Sequence, residues 1–419
     1  MKIIIIGSGA SGLAAGISLL RCGYDVTILE RNNISGKKLL LTGAGRCNFF
    51  NSDQNIVHYH SSDKAILAKI ITSDNIHLVE DFITSLGIVP KVKDGYYYPF
   101  ANQTYNMKEL LERTYLDLGG KIKYNYLVEK IEKKNSLFLV NDTISCDKLI
   151  LATGSKAYKM TGSDGIGYQL AKKFNHHIVK VLPSLTSLIT REKINLKGVR
   201  VDAKVTLYED GVKVREELGQ VQFTDYGLSG ICIFNLSYYA VKGLNKNKKE
   251  VITIDLMPFM DKVSFKNKKV YDDFGEMEFT KYGLDGPIIK SASCRMKDTS
   301  KNFENALDDL LPRKLIPIII ELSEIPKHMK VNQISKQQRL NLVHLLKNIT
   351  FTVRRYRPIE EAIITSGGIK VSEINASTME SKIIKNLFFA GEIIDVDAYT
   401  GGFNLQIAYS TAYLAGINC

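Results

Sequence analysis

Three glycines near the start of the chain have the spacing of a phosphate-binding loop, Gly-x-Gly-x-x-Gly. They are Gly7, Gly9 and Gly12, and the acidic Glu30 lies 18 positions after the last of them. Gly7 permits a tight turn, Gly9 lets backbone N–H groups approach a pyrophosphate, and Gly12 allows helix and strand to pack closely. An acid at position 30 accepts hydrogen bonds from a ribose with a free 2′-hydroxyl. The pattern predicts a dinucleotide site for FAD or NAD rather than NADP.

The residues around these glycines predict the elements that must position them. Lys2–Ile6 is a β-branched run typical of a buried parallel strand, and Leu13–Cys22 has helical spacing up to Gly23. Asp25–Leu29 is a second strand, which leads into Glu30. This order forms the βαβ unit of a Rossmann-like fold, in which the helix N-terminus faces the phosphates. A plain βαβ turn with chance glycines is the alternative.

Two segments near the end of the chain favour FAD over NAD. Asn386–Glu392 is an apolar strand that ends in a glycine and an acid, and residues 397–416 form a Gly-Gly turn followed by a helical pattern. In FAD enzymes of this architecture, such an acid lies near the ribityl chain, and the next helix points its N-terminus at the pyrimidine side of the flavin. That helix end stabilises negative charge on the reduced ring.

The middle of the first half adds a third segment. Lys148–Gly154 is a strand that ends in Ala-Thr-Gly, the turn with which flavoproteins cross back beside the dinucleotide; an ordinary strand end is the alternative. Residues 119–140 alternate like a β-meander, in which Val128 would touch the adenine through its backbone.

The segment Gly36–Asn48 ends on a cation beside a thiol. Its small residues let the backbone pass close to a dinucleotide, and Arg46 and Asn48 can donate hydrogen bonds to phosphate or flavin oxygens. A surface ion pair is the alternative for Arg46. Cys47 has no partner cysteine nearby in the sequence, so a catalytic thiol is the weaker interpretation. The residues predicted to bind FAD are Gly7, Gly9, Ala10, Ser11, Gly12, Glu30, Arg31, Lys38, Gly45, Arg46, Cys47, Asn48, Val128, Thr153, Gly154, Gly391, Glu392, Gly402, Phe403 and Asn404.

Composition excludes several classes of protein. The 419 residues contain no apolar run long enough to cross a membrane. The six cysteines are scattered singly, which argues against a disulfide framework and against zinc and fits a reduced cytoplasm; no metal site is predicted. The net charge of +12 comes mostly from dispersed lysines. Such dispersal is typical of solvated surfaces and argues against nucleic acid as the partner.

Five segments together resemble a known family. Gly36–Asn48 and residues 161–176, 223–237, 364–382 and 386–416 are similar to three-domain bacterial flavoproteins, the aminoacetone oxidases and the bile-acid-type NAD(P)/FAD-dependent oxidoreductases. The resemblance covers nearly the whole chain. It implies an α/β fold in which a discontinuous FAD-binding Rossmann-like domain carries an inserted antiparallel β-barrel-like domain and an inserted small helical domain. It does not imply one agreed substrate.

The pattern between the flavin segments fits these insertions. Strand-like alternation surrounds an Asp210-Gly211 hairpin turn, and residues 302–347 have helical spacing with Ser335 as a cap. The predicted domains are residues 1–187 with 355–419 for FAD, residues 188–299 with 348–354 for the barrel, and residues 300–347 for the helices.

An internal repeat departs from the family pattern. Residues 219–237 recur at an offset of 56 as residues 275–293, with Phe, Thr, Tyr, Gly, Leu, Gly, Ile and Ser in phase. The repeat predicts two copies of one strand-turn-helix unit. It leaves the boundary between barrel and helices open from about 262 to 300.

The sequence offers no defensible Ser/His/Asp or Cys/His set, so the flavin is the predicted reacting group and the catalytic side chains are unassigned. We expect an FAD-dependent oxidoreductase that transfers hydride through flavin N5 with a small amine or a conjugated C=C substrate. NAD(P)H, if used, binds transiently, because only one dinucleotide fingerprint is present. The competing class is a flavoprotein that acts on or binds RNA, supported only by the basic pI near 9.1.

The role of one aromatic segment has two interpretations. Residues 95–111 place three tyrosines and Pro99 before a helix. They fit the lining of a pocket or ordinary packing in the core or at a sheet edge. No oligomeric state is predicted.

Overall fold

The chain forms two compact units in a computed structural model. Unit 1 is Met1–Leu185 with Pro358–Cys419, and unit 2 is Thr186–Arg357. The structure describes residues 1–193, 196–258, 302–308 and 310–419, and the backbones of Val263–Ser264, Met277–Thr280 and Gly283–Asp285.

A five-stranded parallel sheet forms the centre of unit 1. Its central strand is the apolar N-terminal run, whose isoleucines at positions 3, 4 and 5 are fully buried. Because all neighbours are parallel, the strands that lead into the glycine and acid motifs end at one edge of the sheet. In spatial order the strands are Leu387–Phe389, Lys148–Leu151, Lys2–Ile6, Asp25–Leu29 and Lys121–Lys123.

The remaining elements of unit 1 are helices and shorter strands outside this sheet. The predicted meander begins only at Ile131, because Lys121–Lys123 joins the parallel sheet instead. The α-helices are Ala10–Arg21, Lys64–Ile70, Ser73–Ser85, Thr104–Asp117, Ile166–Lys173 and Phe403–Asn418. The short 3-10 helices are Leu39–Gly45, Ile56–His58, Lys159–Thr161, Ile359–Glu361 and Val371–Glu373. The other strands are Phe50–Asn51, Tyr59–His60, Pro90–Lys93, Tyr96–Pro99, Ile131–Lys134, Leu137–Val140, Ile144–Cys146, Ile178–Ser184, Ile364–Ile369 and Asp397–Ala398.

Unit 2 is built on a closed antiparallel barrel, as expected from the alternating pattern. Asp210 and Gly211 form the predicted hairpin turn, with φ of 49° and 84°, the left-handed pair that a two-residue hairpin of type I′ requires. Around the barrel the strands are Leu188–Thr190, Gly227–Ser229, Val212–Phe223, Arg200–Glu209, Glu250–Asp255 and Ile349–Tyr356.

The helices of unit 2 share one hydrophobic core with the barrel. Buried Val205 and Ile252 of the barrel belong to the same apolar cluster as Ile319 and Leu346 of the helices. Ser335 forms the expected cap, since its Oγ accepts a hydrogen bond from the Gln338 N–H at 3.2 Å. The separation of residues 300–347 as a third domain stays a prediction. The helices are Ile231–Leu244, Phe303–Ala306, Ile316–Ser323 and Lys336–Lys347, with a 3-10 turn at Val331–Gln333.

The two copies of the repeat share a hairpin with the same register. In the first copy Gln222 faces Ser229, and in the second Glu278 faces Asp285, each pair displaced by the offset of the sequence repeat. The helix of the first copy is Ile231–Leu244. The corresponding part of the second copy, residues 287–293, lies outside the described residues.

Candidate cofactor and active site

The glycine loop lies where the central strand of unit 1 ends. A Cβ on Gly12 would lie 1.9 Å from the Gly7 carbonyl oxygen, and a Cβ on Gly7 would lie 2.6 Å from the Ala152 oxygen, so both positions exclude a side chain. A Cβ on Gly9 meets nothing within 4 Å. The first helix begins directly afterwards, at Ala10, and therefore turns its free N–H groups and positive dipole end toward this open space.

Glu30 is fixed at the end of the neighbouring strand. It is 6% exposed, and its Oε2 accepts hydrogen bonds from the backbone N–H and the hydroxyl of Ser8, both at 2.8 Å. Its Oε1 accepts from the backbone and side chain of Asn32 at 2.8 and 2.7 Å. Arg31 instead pairs with Asp164 at 2.5 Å. The acid is thus held beside the loop by four hydrogen bonds, and a ribose hydroxyl would replace one of these donors.

The C-terminal strand brings its motif to the same place. A Cβ on Gly391, whose φ is 77°, would lie 2.5 Å from Oγ of Ser11 in the first turn of the first helix. The next residue, Glu392, accepts from Lys38 Nζ at 2.5 Å and from Ser155 Oγ at 3.3 Å. Segments distant in sequence therefore meet around the open space at Gly9. We call this place the cradle; it is formed by residues 7–12, Glu30, Lys38 and Gly391–Glu392.

The last helix starts against the Gly36–Asn48 segment. Gly402, with φ of 97°, is its N-terminal cap, and a Cβ there would lie 2.7 Å from Oδ1 of Asn48. Phe403 is buried. The side chain of Asn404 is taken up by the chain itself: it accepts from Ala398 N at 3.0 Å and donates to the Ala398 and Tyr399 oxygens. Both side-chain donor hydrogens of Asn404 are therefore used within the chain.

Cys47 is fully buried and has a left-handed φ of 58°. Burial raises the pKa of its thiol to about 12, against which a hydrogen bond with Thr42 is the smaller effect. A thiol of this kind is a poor nucleophile at neutral pH. Its neighbours Gly45 and Arg46 are exposed, and the Arg46 guanidinium carbon lies 5.8 Å from the centre of the Tyr98 ring.

The strand that ends in Ala-Thr-Gly supplies another wall. Thr153 packs against Gly167, where a Cβ would lie 2.0 Å from the Thr153 hydroxyl, and Gly154 has a φ of 71°. Val128 is 2% exposed. The contact of its backbone with adenine stays a prediction.

Two buried polar atoms support a bound dinucleotide. Oδ1 of Asn48 and Oγ1 of Thr153 have no hydrogen-bond partner among the described residues. Unpaired buried polar atoms are costly and call for a ligand or water. Together with the open space at Gly9, the free N-termini of two helices and the acid Glu30, they fit FAD.

A histidine that the sequence analysis left aside lies beside the last helix. Nε2 of His58 is 2.6 Å from Oδ2 of Asp53, and its ring stacks on Phe403 with centroids 4.9 Å apart. Nδ1 is buried and unpartnered among the described residues. Hydrogen bonds from the Asn55 N–H and from His58 lower the pKa of Asp53. The stacking on Phe403 joins two segments far apart in the sequence, and no local motif marks such a contact.

A second histidine forms a triad-like chain. Nε2 of His176 is 2.8 Å from Ser381 Oγ, and Nδ1 is 3.2 Å from Glu373 Oε2. Ser381 is buried, and its Oγ also accepts from the N–H groups of Ile383 and Ile384. Burial lowers the pKa of His176. The Ser381 hydroxyl already accepts two backbone N–H groups and is not free to act as a nucleophile. The hydrogen bonds of His176 to Glu373 and Ser381 therefore have a structural role.

The described residues contain no cluster of three metal-ligating side chains. No helix in the described part of the chain is both long and apolar enough to cross a membrane.

Comparison with known proteins matches residues 1–418 to the family described as HI0933-like protein Rossmann domain. The chain is 32% identical to a 3-dehydro-bile acid delta(4,6)-reductase of Clostridium scindens, over 99% of this chain and 98% of that protein. It is 28% identical to a ribosomal RNA dihydrouridine synthase of Haemophilus influenzae, over 99% of this chain and 97% of that protein. A protein of the same name from Escherichia coli is 26% identical, over 98% and 96% of the two chains.

Proposed function

The chain belongs to the HI0933-like family and is an FAD-dependent oxidoreductase, and we propose that it reduces a carbon–carbon double bond conjugated to a carbonyl group. The support is a reaction common to its relatives. A delta(4,6)-reductase of a 3-dehydro-bile acid saturates ring double bonds conjugated to the 3-oxo group. A dihydrouridine synthase saturates the uracil double bond conjugated to a ring carbonyl. The proposal therefore favours the conjugated C=C over the small amine.

Each wall of the cradle has a part in this reaction. The backbone at Gly7–Gly12 would hold the pyrophosphate of FAD and Glu30 its ribose. FAD bound in this cradle would supply the hydride from N5. Arg46 and the N-terminus of the last helix, capped by Gly402, favour negative charge at the flavin end of the cradle.

Saturation of the bond needs a hydride at the β-carbon, a proton at the α-carbon and a two-electron donor. We assign the donor to the NAD(P)H class, which would bind transiently because the sequence has one dinucleotide fingerprint.

The test is anaerobic and spectroscopic. The purified protein is reduced with NADH or NADPH, and the return of the oxidised flavin spectrum is followed after addition of a 4,6-unsaturated 3-dehydro-bile acid. We expect reoxidation by this enone, a product heavier by the mass of two hydrogens for each bond reduced, and no reoxidation by the saturated 3-dehydro-bile acid. Reduction of the flavin by aminoacetone, with reoxidation by oxygen alone, would contradict the proposal.

A second candidate function is the saturation of uracil in RNA. Its support is the dihydrouridine synthase relatives and the net charge of +12. The same reduced protein is mixed with a uridine-containing ribosomal RNA transcript. Reoxidation by the transcript, weakened by salt, with none by the enone would favour this function over the first.

A further inference from the structure

A short hairpin in unit 1 carries a face that the cofactor cradle does not use. Its strands are Pro90–Lys93 and Tyr96–Pro99, joined by Asp94 and Gly95 with φ of 52° and 79°. Lys91 pairs with Tyr98 and Lys93 with Tyr96. Residues directly opposite in an antiparallel pair share a face, and so do alternate residues of one strand. Two lysines and two tyrosines therefore lie on one face of the hairpin.

The other face of the hairpin is fixed to the core. Tyr97 packs edge-on against Phe50, with ring centroids 4.9 Å apart, and against Phe49 at 6.3 Å. Phe49 and Phe50 are buried. Because these contacts set the orientation of the hairpin, the face of Lys91, Lys93, Tyr96 and Tyr98 is turned away from this packing.

This lysine-tyrosine face adjoins the predicted flavin end of the cradle at two points. The Arg46 guanidinium lies over the Tyr98 ring, 5.8 Å from its centre. A Cβ on Gly401 would lie 2.8 Å from Cε1 of Tyr96, so the Tyr96 ring rests against the turn that precedes the last helix. The backbone oxygen of Gly401 also accepts from Asn51 at 2.9 Å. The face is thus a continuation of the wall formed by the Gly36–Asn48 segment and the Gly-Gly turn.

The charge on this face is uncompensated. Lys91, Lys93 and Arg46 are exposed, and none of them forms an ion pair with a carboxylate of the described residues. Asp94, in the turn, pairs with neither lysine. Three cations beside two aromatic rings complement a ligand with one negative group on a flat apolar body.

We propose that the face formed by Lys91, Lys93, Tyr96 and Tyr98 binds the carboxylate end of a small unsaturated oxo acid and so directs its conjugated double bond to the cradle. This inference rests on the proposed function and adds the substrate class: a ring-containing carboxylic acid rather than a neutral enone. The lysines attract the carboxylate and the tyrosine rings cover the apolar body next to it.

The experiment compares a 4,6-unsaturated 3-dehydro-bile acid with its methyl ester, using wild-type protein and the double variant Lys91→Ala/Lys93→Ala. For wild type we expect a lower KM for the acid than for the ester. The variant should raise KM for the acid about tenfold, since each exposed ion pair is worth up to about 1 kcal/mol. Its KM for the ester and both kcat values should stay within about twofold, because neither lysine touches the reacting atoms.

Two further measurements separate the possible failures. Calorimetric titration with the saturated 3-dehydro-bile acid and its ester reports binding without turnover, so it tests the face even if the enone is not reduced. Lys249→Ala, at an exposed lysine of unit 2, is the matched control and should change nothing. Equal affinity of wild type for acid and ester would overturn the proposal, as would a variant that weakens only the binding of a uridine-containing RNA transcript.

Discussion

Gly9 and Gly12 belong to the same loop, but the reason for a glycine differs between the two positions. Gly12 has no space for a methyl group, because the Gly7 oxygen lies 1.9 Å from where its Cβ would be. Gly9 has space, with nothing within 4 Å, and its φ of −72° is open to any residue. Gly12 is therefore required by the fold of the chain, whereas we infer that Gly9 is required by what the cradle binds.

This difference predicts opposite behaviour for two alanine variants. Gly9→Ala should leave the free energy of unfolding of the FAD-free protein within about 0.5 kcal/mol of wild type. Its FAD affinity should fall at least about tenfold, because the methyl group enters the space of the pyrophosphate. Gly12→Ala should destabilise the FAD-free protein by about 2 kcal/mol or more through overpacking. Urea unfolding and fluorescence titration with FAD measure both. Loss of stability in Gly9→Ala with unchanged FAD affinity would contradict the assignment.

The sequence predicts residues whose role depends on local backbone and misses those defined by distant contacts. Gly7, Gly12 and Glu30 follow from the requirements of one turn and one strand end. The stacking of the His58 ring on Phe403 and the ion pair of Lys38 with Glu392 depend on how separate segments meet. No spacing in the sequence encodes such contacts.

At the scale of elements, two neighbouring barrel strands place carboxylates opposite each other. Glu250 pairs with Glu209 in the register of Arg200–Glu209 and Glu250–Asp255. Glu250 is 1% exposed, and both of its oxygens lack a hydrogen-bond partner among the described residues. Burial, then Glu209 and Asp210, raise the pKa of Glu250 to about 7, and Lys248 opposes this only weakly. The folded protein therefore holds the Glu250 proton to a higher pH than the unfolded chain does.

This pair predicts a loss of stability as the pH rises from 4.5 to about 7. Below pH 4.5, the ordinary pKa of a glutamate, Glu250 is protonated in both the folded and the unfolded state. Its ionisation then does not change the free energy of unfolding. Between pH 4.5 and about 7 only the unfolded chain loses the proton, so the free energy of unfolding falls, by up to about 3 kcal/mol. Glu250→Gln should remove this fall in urea titrations from pH 4.5 to 8. Glu216→Gln, at a carboxylate paired with Lys213, should leave it in place. An unchanged pH profile in Glu250→Gln would show that Glu250 ionises normally.

Elements with a strong local pattern were predictable. Lys2–Ile6 and Asp25–Leu29 have the predicted bounds, and the Asp210-Gly211 turn forms its hairpin. Lys121–Lys123 was wrongly assigned to the meander. Its alternation of polar and apolar residues would be the same in a meander strand and in an edge strand of the parallel sheet. Its partner in the parallel sheet lies some ninety positions earlier in the chain, and pairing of this kind leaves no trace in the strand itself.

At the scale of the whole molecule, the order of segments decides which part can bind the cofactor. All five strands of the parallel sheet and all the predicted cofactor residues belong to unit 1. The chain leaves this unit at Leu185 and returns at Pro358. Within unit 1, Ile178–Ser184 pairs with Ile364–Ile369, and the Ile363 N–H donates to the Leu185 oxygen at 3.3 Å. The two ends of the discontinuous unit are therefore held together by its own hydrogen bonds.

This arrangement predicts that unit 1 binds FAD without residues 186–357. A chain in which a short Gly-Ser linker joins Leu185 to Pro358 should fold and purify with stoichiometric FAD, as measured by absorbance and circular dichroism, because the sheet and the cradle are complete. A chain that ends at Arg357 is the matched control: it lacks the strand Leu387–Phe389 and the segment from Gly391 to Asn404, so it should be colourless. If the joined protein is folded but colourless, residues of unit 2 are needed to hold FAD, and the prediction of a discontinuous domain that binds the cofactor by itself is wrong.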